Sequence, residues 1–225
     1  TPPNIDHPEL HIVEGRLQLA RADRRRDGTG ETDQLLLGSA IQSFQAALQL
    51  NRELGVAWLG LARTQRLMKN LDEASESLTR AKRLLGDTDS SCSIEGALLA
   101  IDLDDIHAAT RYIDAAEIQG SGPTIAYVRG NIAIKSGDAE RAIAMYTETL
   151  NERPKHIRAR LNRISCYLGL DQAVEAKDDA NILLSLAPEL SVAVFAKADA
   201  QSRLGEWEEA KEGFLAVLEL SLIHI

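Results

Sequence analysis

The sequence predicts an all-α protein, an α-solenoid of about six antiparallel helix pairs stacked one after another. Three observations point there. First, 44% of the residues are apolar but only 4% are aromatic. Alanine and leucine dominate, which favours helix over sheet. Second, "GDAERAIAMY" from Gly137 and "GEWEEAKEGF" from Gly205 share one pattern of glycine, acid, alanine and aromatic, and they start 68 residues apart, twice 34. Third, stepping by 34 lands on Ala40, Ala74, Ala108, Ala142, Ala176 and Ala210, all alanine in a chain with 31 alanines among 225 residues. A fixed period of this length marks a repeat architecture.

The period holds two helices of about 13 residues and two short turns. Small residues belong where the two helices of a unit cross closely. Twelve before the repeating alanine stand Ala62, Gly96, Gly130, Ile164 and Ala198. Four after it stand Phe44, Leu78, Tyr112, Tyr146, Ala180 and Phe214, one turn along the same face. Gly137 and Gly205 fall in the turn inside a unit, where a helix ends. Pro154 and Pro188 fall between units, where proline stops or starts a helix. Five units are placed at 55–88, 89–122, 123–156, 157–190 and 191–224. Residues 1–54 form an irregular first unit. Asp6 and Glu9 read as a capping box. Gly15 fits the small position of a first helix, and the polar stretch "DRRRDGTGETDQL" at 23–35 reads as a loop insertion before the helix of Ala40 and Phe44. At the other end, "SLIHI" (221–225) reads as a non-native tail and the chain as a fragment. The exposed last helix invites stacking against a second copy.

The net charge of −9 argues against nucleic acid as the main partner. No apolar run is long enough to span a bilayer. Unit 89–122 has seven acidic residues and one basic, net −6, whereas unit 55–88 is net +2. The turn "DLDD" (102–105) lacks the glycine and downstream glutamate of a calcium loop and reads as solvated. His7, His11 and Glu14 on one helix face lack a further ligand for zinc. Cys92 and Cys166, in first helices separated by an intervening unit, read as small semi-buried residues rather than a disulfide. No phosphate loop, dinucleotide fingerprint, nucleophile elbow or HExxH motif occurs. The expectation is therefore no catalytic residue, no metal and no cofactor.

The spacing, with Trp58, Leu61 and Ala62 in one first helix and Gly137, Ala142, Tyr146 and Pro154 in one unit, resembles the tetratricopeptide repeat superfamily. That resemblance implies a right-handed superhelix whose first helices line a concave groove. The groove positions are Arg63 and Arg66; Tyr127, Asn131 and Lys135; Arg158, Leu161, Asn162 and Ser165; and Phe195, Asp199 and Arg203. Asn131 and Asn162 match the two asparagines of the carboxylate clamp of co-chaperones in this superfamily. The clamp's lysines and arginine are replaced by Tyr127, Val192 and Ala196, so a reader of C-terminal carboxylates is not expected. Arg160 stands where the family usually carries an aromatic. Within the superfamily, "ARL" (159–161), "AKDDANILLSLAP" (176–188) and "AKA" (196–198) look most like bacterial envelope proteins of exopolysaccharide and PEP-CTERM sorting systems. The implied function is a non-catalytic scaffold that binds a protein or peptide segment in the groove, in the periplasm or outer membrane if that likeness holds and otherwise in the cytoplasm. The alternatives are the repeat arm of a glycosyltransferase- or sulfotransferase-type enzyme, whose catalytic domain would lie beyond residue 225, and a cytoplasmic assembly chaperone or adaptor.

Overall fold

A computed structural model describes residues 7–29, 33–86 and 88–223. Those residues form twelve α-helices: α1 (Pro8–Thr29), α2 (Gln34–Leu50), α3 (Gly55–Leu67), α4 (Leu71–Leu85), α5 (Ser90–Asp102), α6 (Ile106–Ile118), α7 (Pro123–Lys135), α8 (Ala139–Glu152), α9 (Ile157–Gly169), α10 (Ala173–Leu186), α11 (Ser191–Arg203) and α12 (Trp207–Ile223). No strand occurs among the described residues. The expected capping residue Asp6 lies outside them, as do residues 224 and 225 of the expected tail.

The chain forms two compact units, Thr1–Arg24 with Thr32–Ser121, and Arg25–Glu31 with Gly122–Ile225. In the first, successive helices from α2 to α6 pack on one another, and α3 also touches α5. In the second, α7 through α12 do the same, and α9 also touches α11. First helix on first helix, with a second helix behind each, is the contact pattern of a helix-pair solenoid.

Local chemistry sets the helix boundaries. Asp33, Asp89, Asp105 and Asp138 each accept a hydrogen bond from a backbone N–H of the following turn, at 2.8–3.0 Å. Pro123 opens α7, where its missing N–H is no loss. α4 shows the pattern fully. Ala74, Leu78 and Ala81 are buried, Asp72 and Glu73 stand in the first turn, and Lys82 and Arg83 stand in the last, matching the helix dipole. The turn within each pair needs one residue in the left-handed region. It falls on Lys69, Asp104, Gly137, Asp171 and Gly205. Only two of the five are glycine, so the turn was legible from glycine in only two pairs.

That series also corrects the register. Its members stand 34 residues apart except around Asp104, which is one residue late, and α5 starts one residue late as well. The buried alanines of α6 are accordingly Ala109 and Ala116, with Ile113, rather than Ala108 and Ala115 with Tyr112. A second correction concerns residues 23–35. α1 continues through Thr29, so 23–29 is helix and not loop. Asp23 and Asp27 on that added stretch meet Arg63 and Arg158, at 2.6 and 3.0 Å. The "DLDD" turn is corrected too. Asp102 receives Arg66 and Lys69, and Asp105 caps α6, so two of its carboxylates are structural rather than solvated.

Close helix crossing is visible at Gly130. A Cβ there would lie 2.5 Å from the ring of Tyr146, which is fully buried. Gly130→Ala should therefore destabilise by about 1–2 kcal/mol, because overpacking outweighs the helix-propensity gain of alanine. Urea unfolding of the variant checks this.

Candidate functional site

Three of the residues expected to act together in the second unit, Tyr127, Asn131 and Asn162, meet around a buried phenol. Tyr146, on α8, donates its hydroxyl proton to Asn131 Oδ1 at 2.7 Å. Asn162 Nδ2, on α9, donates to that hydroxyl oxygen at 3.2 Å and to Asn131 Oδ1 at 3.1 Å. Burial pushes the phenol pKa up, and the Asn162 hydrogen bond only partly opposes this, so the hydroxyl stays protonated. A buried hydroxyl demands partners, and the two asparagines satisfy it. The arrangement also orients both amides. Asn131 Nδ2 and Asn162 Oδ1 have no hydrogen-bond partner among the described residues, and both residues are half-buried. One free donor and one free acceptor are what a peptide group in an extended segment needs.

Tyr127, one turn before Asn131, packs its ring 4.8 Å from His156 and 6.0 Å from Tyr146. His156 caps α9, its Nδ1 accepting from Ala159 N–H at 3.1 Å. The ring must be neutral to accept there. Burial lowers its pKa from the ordinary 6.5, and Arg158 lowers it further. The sign follows from linkage. Above pH ~6.5 both folded and unfolded states hold neutral histidine, and the cap is at full strength. As pH falls below ~6.5 the unfolded state takes up the proton first, so stability drops until the folded value is passed. Thermal melts from about pH 8 to about pH 5 should show this loss, and His156→Asn, which caps without titrating, should reduce it.

Next to this cluster lies a cleft of about 540 Å³ lined by Asp27, Arg153, Pro154, Lys155, His156, Ile157 and Arg158. Only Arg158 of these was expected from the sequence. The run "RPKHIR" (153–158) was the available signal, a block of cations in a chain of net charge −9.

The other expected residues do not join this cluster. In the first unit Arg63 is paired with Asp23, and Arg66 is paired with Glu95 and Asp102. Arg66 and Glu95 are nearly buried, at 11% and 7% side-chain exposure, so their pairing is structural. In the second unit Lys135 is exposed at the end of α7, and Ser165 donates to Leu161 C=O. Asp199 is bound by Arg203 of its own helix. Phe195 rests against Phe214 at 5.5 Å between ring centres while staying 51% exposed. Arg160, in the aromatic position, is buried on Asp179 at 2.6 Å. Cys92 and Cys166 are free and buried. Burial pushes the Cys92 thiol up to about 12, which leaves it unreactive near neutral pH.

Comparison with known proteins agrees with this architecture. Residues 133–178 match the family model of the tetratricopeptide repeat. Heat shock protein STI1 of Saccharomyces cerevisiae is 31% identical over 94 residues, 41% of this chain and 16% of STI1. This chain thus spans about a sixth of that relative. Among solved structures, the APC/C hetero-tetramer Cut9-Hcn1 aligns over 97% of this chain and 41% of its own chain, with TM-score 0.81 and 18% identity. PilW, a type IV pilus biogenesis factor, aligns over 96% of this chain and 99% of its own, with TM-score 0.73 and 17% identity. At those identities the two structures speak for the fold alone. The fold is the all-α tetratricopeptide-repeat solenoid.

Proposed function

We propose that this tetratricopeptide-repeat chain is a non-catalytic scaffold that binds an extended protein segment along the first helices of its second unit. The observation that carries the reading is the Asn131–Tyr146–Asn162 network. It holds one amide donor and one amide acceptor in fixed orientation on adjacent first helices, beside the Tyr127 ring. A segment lying there gains backbone hydrogen bonds from the amides and an apolar shelf from the aromatic ring. Among the expected contacts, Tyr127, Asn131 and Asn162 are central to this reading. Lys135, Arg158, Ser165, Phe195 and Asp199 extend it along the same unit. Arg63 and Arg66 stay in the proposal only as holders of α1 and α5. The process we assign, from the likeness of residues 151–198, is bacterial exopolysaccharide production or envelope protein sorting.

The test must respect the structural role of the asparagines. Asn131→Ala/Asn162→Ala alone strands the buried Tyr146 hydroxyl and should cost about 1–3 kcal/mol. Adding Tyr146→Phe removes the stranded group and should restore part of that loss, read by urea unfolding. The triple variant is therefore the tool for binding. Immobilised chain should capture a partner from bacterial extract and the triple variant should not. Equal capture by both, with both folded by circular dichroism, overturns the assignment.

A further inference from the structure

We infer that the cleft formed by Arg153, Lys155 and Arg158 recognises an acidic internal segment of the bound protein, and that Asp27 occupies the place of its carboxylate in the unbound chain. The inference rests on the reading of the second unit as a protein-binding surface and names the chemistry of the partner.

Charge is the first argument. Among the described residues three cations line the cleft against one carboxylate, Asp27, and the His156 ring beside them accepts a backbone N–H as the cap of α9. Lys155 has no ion-pair partner among the described residues, and Arg153 donates a long hydrogen bond to the Thr124 hydroxyl, 3.4 Å. A local excess of positive charge in a chain of net charge −9 is a departure that solubility does not require. The N-terminus of α9, opening at Ile157 behind the cap, adds a favourable field for an anion.

The geometry of the resident carboxylate is the second argument. Asp27 Oδ1 stands 3.0 Å from Arg158 Nε, yet it accepts no hydrogen bond. The two side chains are about a third exposed, 31% for Asp27 and 34% for Arg158. An arginine holds a carboxylate best through two parallel hydrogen bonds, and Asp27 does not provide that. A carboxylate arriving from solvent meets the exposed Arg153 and Lys155, with Arg158 beside them in the cleft. The cleft lies beside His156, whose ring stacks on Tyr127, so a segment crossing the amides of Asn131 and Asn162 has acidic side chains within reach of it. Asp27 then acts as a weak internal competitor for the arginine.

The experiment uses the full chain and a fluorescein-labelled, C-terminally amidated peptide of alternating glutamate and serine, read by fluorescence anisotropy. A lysine–serine peptide is the control. The acidic peptide should bind and the basic one should not, and raising salt should weaken binding. Asp27→Asn should tighten binding about threefold or more, by removing the competitor. Arg158→Glu and Lys155→Glu should each weaken it about tenfold or more, while Arg141→Glu, the same charge change at an exposed site on α8, should leave it unchanged. No binding, or equal effects of Arg141→Glu and Arg158→Glu, would overturn the inference, as would tighter binding of a single-stranded oligonucleotide at the same residues. The outcome separates from that of the groove reading. Charge-dependent binding that survives the Asn131/Asn162/Tyr146 triple variant upholds the cleft and sinks the groove. Partner capture that is lost in the triple variant but indifferent to Asp27, Lys155 and Arg158 sinks the cleft alone.

Discussion

Asp179→Ala should destabilise the protein by about 3–5 kcal/mol, the cost of stranding buried charge. Asp179 is 4% exposed and Arg160 6%. The carboxylate receives Arg160 Nη1 at 2.6 Å, Arg163 Nε at 2.7 Å and Arg163 Nη2 at 2.8 Å. Both guanidiniums have other partners, Pro154 C=O for Arg160 and the Thr147 hydroxyl for Arg163, which fix them in place. Removing the one anion leaves two cations that cannot turn outward without breaking those bonds. A guanidinium does not lose its proton inside a protein, so the stranded charge persists. Replacing Arg160 by methionine and Asp179 by leucine together should cost less than Asp179→Ala, because Arg163 alone is then left without its carboxylate instead of both arginines. Chemical denaturation of the single and double variants measures both. An Asp179→Ala loss below about 1 kcal/mol would mean that water reaches the pair.

Phe44→Ala should cost a similar amount, about 3–5 kcal/mol. The ring is fully buried. It lies between two glycines, and a Cβ on Gly15 would sit 2.8 Å from it and one on Gly60 2.4 Å from it. The neighbouring helices thus present bare backbone to the ring on both sides, and no side chain there can swing in to fill the space it leaves. The cost of a large-to-small change rises with the cavity that remains. The same geometry makes a sign prediction. Gly60→Ala should destabilise the natural chain, where the new methyl strikes the ring. In the Phe44→Ala background it should stabilise, where the methyl enters the cavity and gains helix propensity. A double-mutant cycle by urea unfolding reads the reversal directly.

The period of the fold was legible because alanine and glycine recur wherever two helices touch at backbone distance. The departures were hidden by the same residues. Gly96–Ala97, Ala108–Ala109 and Ala115–Ala116 are small doublets, so a one-residue shift leaves a small residue at every expected position. The helical continuation of α1 carries almost no apolar pattern, and Gly28 argued for a loop. Side-chain partners far along the chain, Arg63 for Asp23 and Arg158 for Asp27, accompany the helix there instead. At the site, position in the repeat pointed to Asn131 and Asn162, but not to what they hold. Tyr146 stood in the sequence as a core aromatic, and only the fold brings its hydroxyl between the two amides. The arginines marked as groove contacts were ordinary surface cations until acids 29 to 40 residues away were seen to meet Arg66 and Arg63.

The central claim, that a protein segment lies along α7 and α9, is tested most directly by photo-cross-linking. A benzophenone side chain at Ser165, exposed on α9, should form a covalent adduct with a protein partner in bacterial extract. The same probe at Glu148, exposed on α8, should form none. An adduct at Glu148 with none at Ser165 would place the partner on the second helices and contradict the account.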